Sequence, residues 1–454
     1  FDTPASLGQQ RRGPLTRRRR RDDISGKMRC GSRLFIAVIG IVALSGLTGF
    51  PMVAAAQPAE VSQSPTRQRI VVVGNPADDL QVFASHHYHI HTNLSREETV
   101  PFGRHMDAVF AQYERRFADY TERHAGLMPL YLFRHQDEYL DFMRHHGIDA
   151  TGSGGMFFVT HSIRGLATWA HGHSRSQTLR TLQHEGFHQF AWNHLGPNLP
   201  TWMNEGLAQY FEDAVILDHG MELGLGDPDR IDLVRDALRY KWAVDMEELL
   251  SLDNQQWSAA LRHNGSRAEL LYAQSWSMVY YLIHGDNGRY LRSFEVYLRL
   301  LSEGHAHDKA FRSAFGVGAL DGIEPRWRRF ALEQQPDPVN VAVERLEFLG
   351  SALAYKAERE EKMPRSFAAL RTDLQSRGFK LTRTHHGHRE ELLATDDYRF
   401  AYTRPGGETS AFLLLEPSGF GLPPRLAAPG LSPEPNLVWE RGADGELVFD
   451  IEYR

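Results

Sequence analysis

The sequence predicts an α+β protein made of two globular units, and three observations support this prediction. With 454 residues, of which 42% are hydrophobic and 24% charged, the chain is long enough for more than one apolar core. Strand-like runs precede a long series of helical patterns in the first unit. In the second unit the order is reversed, so that helices come first and strand-like runs follow.

Three segments precede the first unit. Residues 1–27 are rich in arginine and predict a disordered basic segment. It is either an arm that binds nucleic acid or a membrane, or it is not part of the real protein, and the second interpretation is favoured because Met28 begins a complete export signal. Residues 28–56 combine a short basic start, an apolar run and the small residues Ala54–Ala56, which is typical of a secretory signal peptide. Residues 57–69 are polar and predict a flexible lead-in.

The charge balance argues against nucleic acid as a partner, and the cysteine content argues against chemistry that needs a thiol. Acidic residues outnumber basic ones by 57 to 51, and no basic stripe stands out, so nucleic acid is not an expected partner. The single cysteine, Cys30, lies in the predicted signal peptide. The exported chain is therefore expected to lack disulfides, a thiol nucleophile and cysteine metal ligands. Membrane contact is expected only through an uncleaved signal segment, and the predicted location is the periplasm, the cell envelope or the extracellular space.

The first unit is predicted to span residues 70–335 and to place a small strand-rich part before a helical part. The predicted strands are His87–Thr92, Leu127–Phe133 and Met156–Val159. The predicted helices include 106–117, 138–146, 176–194, 202–213, 232–240, 246–252, 269–284, 290–302 and 307–315. The histidines near the first strand (His86, His87, His89 and His91) alternate between two faces at strand spacing, which argues against a shared metal site.

The second unit is predicted to span residues 336–454, after the break in pattern at EQQPDP. Two helices, Val341–Glu361 and Phe367–Gln375, come first. The predicted strands follow at Phe379–Thr384, Tyr398–Thr403, Ala411–Leu415, Asn436–Glu440 and Leu447–Tyr453. This order predicts a small α+β domain with an antiparallel sheet.

The motif with the clearest chemistry is HEGFH, at residues 184–188. On a helix, His184 and His188 lie one turn apart on the same face and can share a metal ion, while Glu185 lies at the edge of that face. A catalytic zinc needs a third protein ligand and an open fourth position. Glu205 follows His188 after 16 intervening residues and begins a second helix, so its carboxylate can return to the same point.

Together, HEGFH and the downstream WMNEGLAQYFE resemble the gluzincin class of zinc metallopeptidases. They are similar to the aminopeptidase N group at this motif, and more closely to the peptidase MA-like families of exported bacterial proteins. The resemblance implies a zincin-like catalytic domain, with Zn²⁺ held by His184, His188 and Glu205 and with Glu185 as general base. The loop before Glu205 is shorter than in the aminopeptidases, and no motif that would bind a substrate N-terminus is visible.

Two further residues are candidates for a role at this site. The aminopeptidase group has a catalytic tyrosine in a similar downstream helix, and the resemblance implies that Tyr272 stabilises the oxyanion; a core tyrosine is the alternative. Glu212 lies two helical turns after Glu205 and is predicted either to orient a metal-binding histidine or to form a surface ion pair.

The predicted function is that of an exported zinc-dependent peptidase acting on peptides or proteins, either as an endopeptidase or as an exopeptidase. The alternatives are a non-catalytic envelope binding or assembly protein that keeps the fold, and a zinc hydrolase with another substrate. In the second unit, the stretch RLEFLGSALAYKAEREEKMPRSFAALRTDL resembles a segment of the pseudopilins of type II secretion. That resemblance implies an adaptor module rather than a catalytic one.

Overall fold

The computed structural model describes residues 40–41, 80–119, 126–161, 163–172, 174–217, 220–263, 265–385, 388–442, 445 and 447–454. The predicted basic segment, the lead-in and, apart from a two-residue strand, the predicted signal peptide lie outside these residues. Within them, no helix has both the length and the apolar character needed to cross a membrane. The described chain has an α+β fold, which confirms the predicted fold class.

The first unit begins with a six-stranded mixed sheet. Its elements are β1 (Gly40–Ile41), β2 (Gln81–Ala84), β3 (Tyr88–Thr92), α1 (Arg96–Arg116), β4 (Met128–Phe133), α2 (Gln136–His145), β5 (Gly155–Val159) and β6 (Arg164–Trp169). The strand order is β1-β5-β6-β4-β3-β2. The pairs β3/β4, β4/β6 and β1/β5 are parallel, whereas β2/β3 and β5/β6 are antiparallel.

Both faces of this sheet are covered, which explains the continuous apolar run in its central strand, β4. Leu130 and Leu132 of β4 belong to the large core of the first unit, to which α1 also contributes. Tyr131 and Phe133 of the same strand face a smaller core on the other side, where α2 packs. Alternate residues of one strand therefore fill two different cores.

A helical part follows the sheet. It contains α3 (Arg175–Phe190), a π-helical turn (Ala191–Leu195), α4 (Thr201–Glu212), β7 (Val215–Leu217), β8 (Gly220–Glu222), α5 (Pro228–Arg239), α6 (Met246–Ser251), α7 (Asn254–His263), α8 (Gly265–Gly288), α9 (Leu291–Ser302), α10 (His307–Phe315) and α11 (Leu320–Glu333). One apolar core, which runs from Phe83 to Ala331, joins this part to the face of the sheet that α1 covers.

Gly206 sets how closely α4 approaches α8. A Cβ atom at this position would lie 2.5 Å from the carbonyl oxygen of Ser275 and 2.7 Å from Cγ2 of Val279. The nearest obstacle is backbone, which cannot rotate away as a side chain can. A residue without a side chain is therefore required one position after Glu205.

We predict that Gly206→Ala lowers the free energy of unfolding by about 2–4 kcal/mol, because α4 and α8 must separate to admit the methyl group. Gly322→Ala is the matched control, since Gly322 also lies in a helix and its added Cβ would meet nothing within 4 Å. That control should be neutral or more stable by up to about 1 kcal/mol. Urea unfolding curves measure both changes, and equal stability of the two variants would contradict the close approach.

The second unit begins at α12 and has its own apolar core, formed by residues between Val339 and Ile451. Its elements are α12 (Pro338–Glu358), α13 (Phe367–Ser376), β9 (Lys380–His385), β10 (His388–Leu393), a 3-10 turn (Asp397–Phe400), β11 (Ala401–Thr403), β12 (Thr409–Ala411), β13 (Leu413–Leu415), β14 (Arg425–Ala427), β15 (Pro435–Arg441) and β16 (Leu447–Tyr453). The strands β13 to β16 form an antiparallel sheet in chain order, and α12 packs against β15 and β16.

Two strand predictions in the second unit are wrong in detail. The strand predicted from Tyr398 begins at Ala401, because the preceding residues form the 3-10 turn, with Arg399 buried and its N–H bonded to the carbonyl of Asp396. The strand predicted at Ala411–Leu415 is split between two sheets at Phe412, which is buried in the core.

Candidate metal centre

The helix α3 carries the HEGFH motif in its last turns and buries it. Ser174 caps the helix, with its hydroxyl accepting a hydrogen bond of 3.2 Å from the N–H of Gln177. His184 and His188 lie one turn apart, and their rings meet edge to face with centroids 4.8 Å apart. The sequence prediction that both imidazoles project from one face is confirmed.

Gly196 ends the helical segment and turns the chain towards α4. Its φ of 91° lies in the region that glycine adopts readily and other residues avoid. The short loop that follows leads into α4 at Thr201. This return brings Glu205 back to the two histidines, as the sequence predicted.

Three ligand atoms converge between α3 and α4. Oε2 of Glu205 lies 3.5 Å from Nε2 of His184 and 3.5 Å from Nε2 of His188. All three side chains are buried, and none of these three atoms has a hydrogen-bond partner. Buried polar atoms without partners are rare, and a cation between them would satisfy all three. Within the described residues, these three form the one group of this kind that can hold a metal ion.

The second ring nitrogen, Nδ1, of each of the two histidines forms a hydrogen bond. Nδ1 of His184 donates to Oε2 of Glu212 at 3.0 Å, and Nδ1 of His188 donates to Oδ1 of Asn204 at 3.2 Å. These bonds fix the tautomer in which each Nε2 carries a free lone pair, as a metal ligand requires. The predicted orienting role of Glu212 therefore has a contact in the structure. Asn204 was missed by sequence reasoning, and its signal is only its position directly before Glu205.

Glu212 is kept ionised by its neighbours. Burial raises its pKa, but Arg230, 3.2 Å away, and His184 more than offset that effect and lower the pKa to about 2. Arg230 also contacts the carboxylate of Asp213 and is itself buried. A charged acceptor behind His184 makes that imidazole a better metal ligand.

The electrostatics of the centre favour a positive charge. Burial lowers the pKa of His184, but Glu205, Glu212 and Glu185 together raise it to about 10. The three carboxylates therefore favour a positive charge at this place, and a divalent cation would supply one.

Glu185 lies beside the three ligand atoms rather than among them. Its side chain is buried, and one of its carboxylate oxygens, Oε2, accepts a hydrogen bond of 2.7 Å from the N–H of Phe157 in β5. Burial raises the pKa of Glu185, and the neighbouring histidines His184 and His188 oppose this effect. The carboxylate is thus anchored to the sheet strand that lines the centre.

A cavity opens next to His188. Its free volume is about 30 Å³, and Phe157, Val159, Trp192 and Leu199 provide its apolar walls. The side chain of Asn204 also lines it. The free space next to His188 is therefore about that of one water molecule, and its wall combines apolar and amide side chains.

Tyr272 is buried on α8 beside the same centre. Its ring packs edge to face on Trp257, with centroids 5.3 Å apart. Burial raises the pKa of Tyr272, and the negative charge of Glu205 raises it further, so the phenol stays protonated at neutral pH. The charge of Glu205 therefore acts on the Tyr272 phenol. The role of Tyr272 as an oxyanion donor stays a prediction.

The remaining histidines singled out by sequence do not form a second centre. His89 is exposed, and His91 stacks on Tyr131 with ring centroids 4.7 Å apart. His87 packs against Phe110. Within the described residues, no three of these side chains bring ligand atoms together, although His86 and His87 precede β3 and their rings meet edge to face with centroids 4.4 Å apart.

Fold and site together define an α+β protein with a buried His-His-Glu centre that can bind a metal ion. A family model described as "Protein of unknown function (DUF1570)" matches residues 178–300, a stretch that runs from the metal-site helix α3 into α9. It therefore includes all three candidate ligands, Glu185 and Tyr272. No curated protein sequence matches the chain.

Proposed function

We propose that this protein is a zinc-dependent peptidase of the gluzincin type. The observation that carries the proposal is the convergence of three buried, unpartnered ligand atoms beside the carboxylate of Glu185. Two imidazole nitrogens and one carboxylate oxygen form a ligand set typical of catalytic zinc, which keeps its fourth position open. The signal-like sequence at 28–56 supports an activity outside the cytoplasm.

The proposed chemistry assigns one task to each side chain. His184, His188 and Glu205 would hold the zinc ion, which would supply a Lewis acid for a carbonyl oxygen and for water. Glu185 takes the proton from the attacking water and then delivers it to the leaving amine. Tyr272 donates a hydrogen bond to the oxygen on which negative charge develops.

Peptides are the substrates that the resemblance of the HEGFH and WMNEGLAQYFE motifs implies. The strand β5 lies beside the centre, where the N–H of Phe157 bonds to the carboxylate of Glu185.

A peptide library incubated with three forms of the full chain tests the proposal. Protein stripped by a chelator should lose at least about 10³-fold in cleavage rate, and one equivalent of zinc should restore it, because zinc supplies the Lewis acid. Magnesium should not restore the rate, because it prefers an octahedral set of oxygen ligands. Cleavage that survives chelation, or no cleavage with zinc fully bound, would reject peptidase function; the second result would favour a binding or assembly protein.

A further inference from the structure

The second unit reaches the beginning of the metal-site helix. Arg175, the first residue of α3, forms a two-bond ion pair with Glu440 of β15, at 2.8 and 2.9 Å. The N–H of the next residue, Ser176, donates to Oδ1 of Asp450 in β16 at 3.0 Å, and its hydroxyl contacts the same carboxylate oxygen. Two strands of one unit thus hold the first turn of a helix in the other.

Asp450 acts as a helix cap supplied from a distant part of the chain. The first N–H groups of a helix have no partner within the helix, and a negative charge there is favourable. Ser174 satisfies the N–H of Gln177, whereas Asp450 satisfies that of Ser176. The carboxylate of Asp450 is buried, and it accepts a further bond of 2.9 Å from the N–H of Ile451. A buried carboxylate held by several donors has a fixed position.

A second connection lies one turn before His184. Arg180 of α3 is half-buried, and the negative charges of Glu347 in α12 and of Asp213 raise its pKa above the ordinary value. Opposite charges on the second unit and on α3 therefore add to the contacts of Glu440 and Asp450 with the first turn of the helix.

We propose that the second unit positions α3 for metal binding and that Asp450 is the main positioning residue. Metal ligands must lie within about 0.5 Å of their productive geometry, and a rigid helix transmits a shift of its first turn along its axis to His184 and His188. The inference rests on the proposed function only in assuming that this centre binds zinc. The second unit is in this view part of the metal site and not a separable adaptor.

Competition with a chromophoric chelator measures the zinc affinity of the full-length wild type and of Asp450→Ala. Loss of a group that hydrogen-bonds a metal ligand directly lowers affinity by about 10- to 100-fold, and Asp450 acts two helical turns away from His184, so we expect a decrease at the lower end of that range, about tenfold. The matched control is Glu452→Ala, because Glu452 is an exposed carboxylate two residues further along β16. Its zinc affinity should equal that of the wild type.

A second readout separates positioning from a general loss of stability. With cobalt in place of zinc, the visible absorption bands of Asp450→Ala should differ from those of the wild type, since they report ligand geometry; Asp450→Glu should restore them in part. If Asp450→Ala does not fold, Asp450→Val, which fills more of the space in a strand and cannot accept the hydrogen bond from Ser176, carries the same test. Zinc affinity within twofold of the wild type, with unchanged cobalt bands, would overturn the positioning role. A wild type that binds no zinc would instead reject the proposed function.

Discussion

Replacing Glu185 by glutamine is expected to lower peptide hydrolysis by about 10²- to 10⁴-fold while the chain keeps its metal. Glutamine has nearly the same shape, and its amide oxygen can still accept the hydrogen bond from the N–H of Phe157. It cannot take a proton from water at neutral pH. The substitution therefore removes general base catalysis without removing a ligand.

Initial rates on a peptide that the wild type cleaves, measured together with metal content, check this expectation. Glu222→Gln is the matched control, because Glu222 is exposed on β8. It should retain the wild-type rate. Full activity in Glu185→Gln would show that another group takes the proton, and loss of the metal would show that Glu185 is a ligand.

The second large effect is expected for His188→Ala, which should lose both the metal and the activity. Only two protein ligands remain after this change, whereas a catalytic zinc site normally has three. The imidazole of His188 also lowers the pKa of the buried Glu205 carboxylate. Without that imidazole and without a metal, fewer positive or hydrogen-bonding groups stabilise the buried carboxylate of Glu205. We therefore also expect the free energy of unfolding to fall by about 1–3 kcal/mol.

The control for this variant is His89→Ala, which removes an exposed histidine from β3. We expect it to keep the metal, the hydrolysis rate and the stability of the wild type. If His188→Ala retained a stoichiometric metal, the assigned ligand set would be wrong. Circular dichroism establishes whether each variant is folded before its metal is measured.

The site was easier to predict than its surroundings, because its main parts are local in sequence. The spacing of His184 and His188 needs only a helix, and Glu205 needs only one short loop. The partners of these residues depend on tertiary packing. Asn204 and the backbone N–H of Phe157 have no pattern of their own that assigns them to the centre.

In the fold, too, elements with a clear local pattern were predicted and elements without one were missed. Helices with a broad apolar stripe, such as α4 and α8, were predicted within a few residues. The helix α11 was missed, because Gly322 and Pro325 interrupt its helical pattern. The strand β10 was missed because its HREELL sequence is mostly charged and lacks alternation; only its antiparallel pairing with β9 identifies it.

In the second unit, the elements could be predicted from sequence, but the contact with the first unit could not. Its helices and most of its strands follow from apolar spacing, whereas the contact of Asp450 with Ser176 joins residues more than 270 positions apart. No local pattern signals such a pair. The role proposed for the second unit therefore became visible only in the assembled fold.

Native mass spectrometry of the wild-type protein, purified without chelator and without added metal, measures whether the His-His-Glu centre holds zinc. We predict a mass that corresponds to one zinc ion per chain, and we predict its loss in His188→Ala. A folded wild-type chain that carries no zinc and cannot take up one equivalent when zinc is supplied would contradict the account.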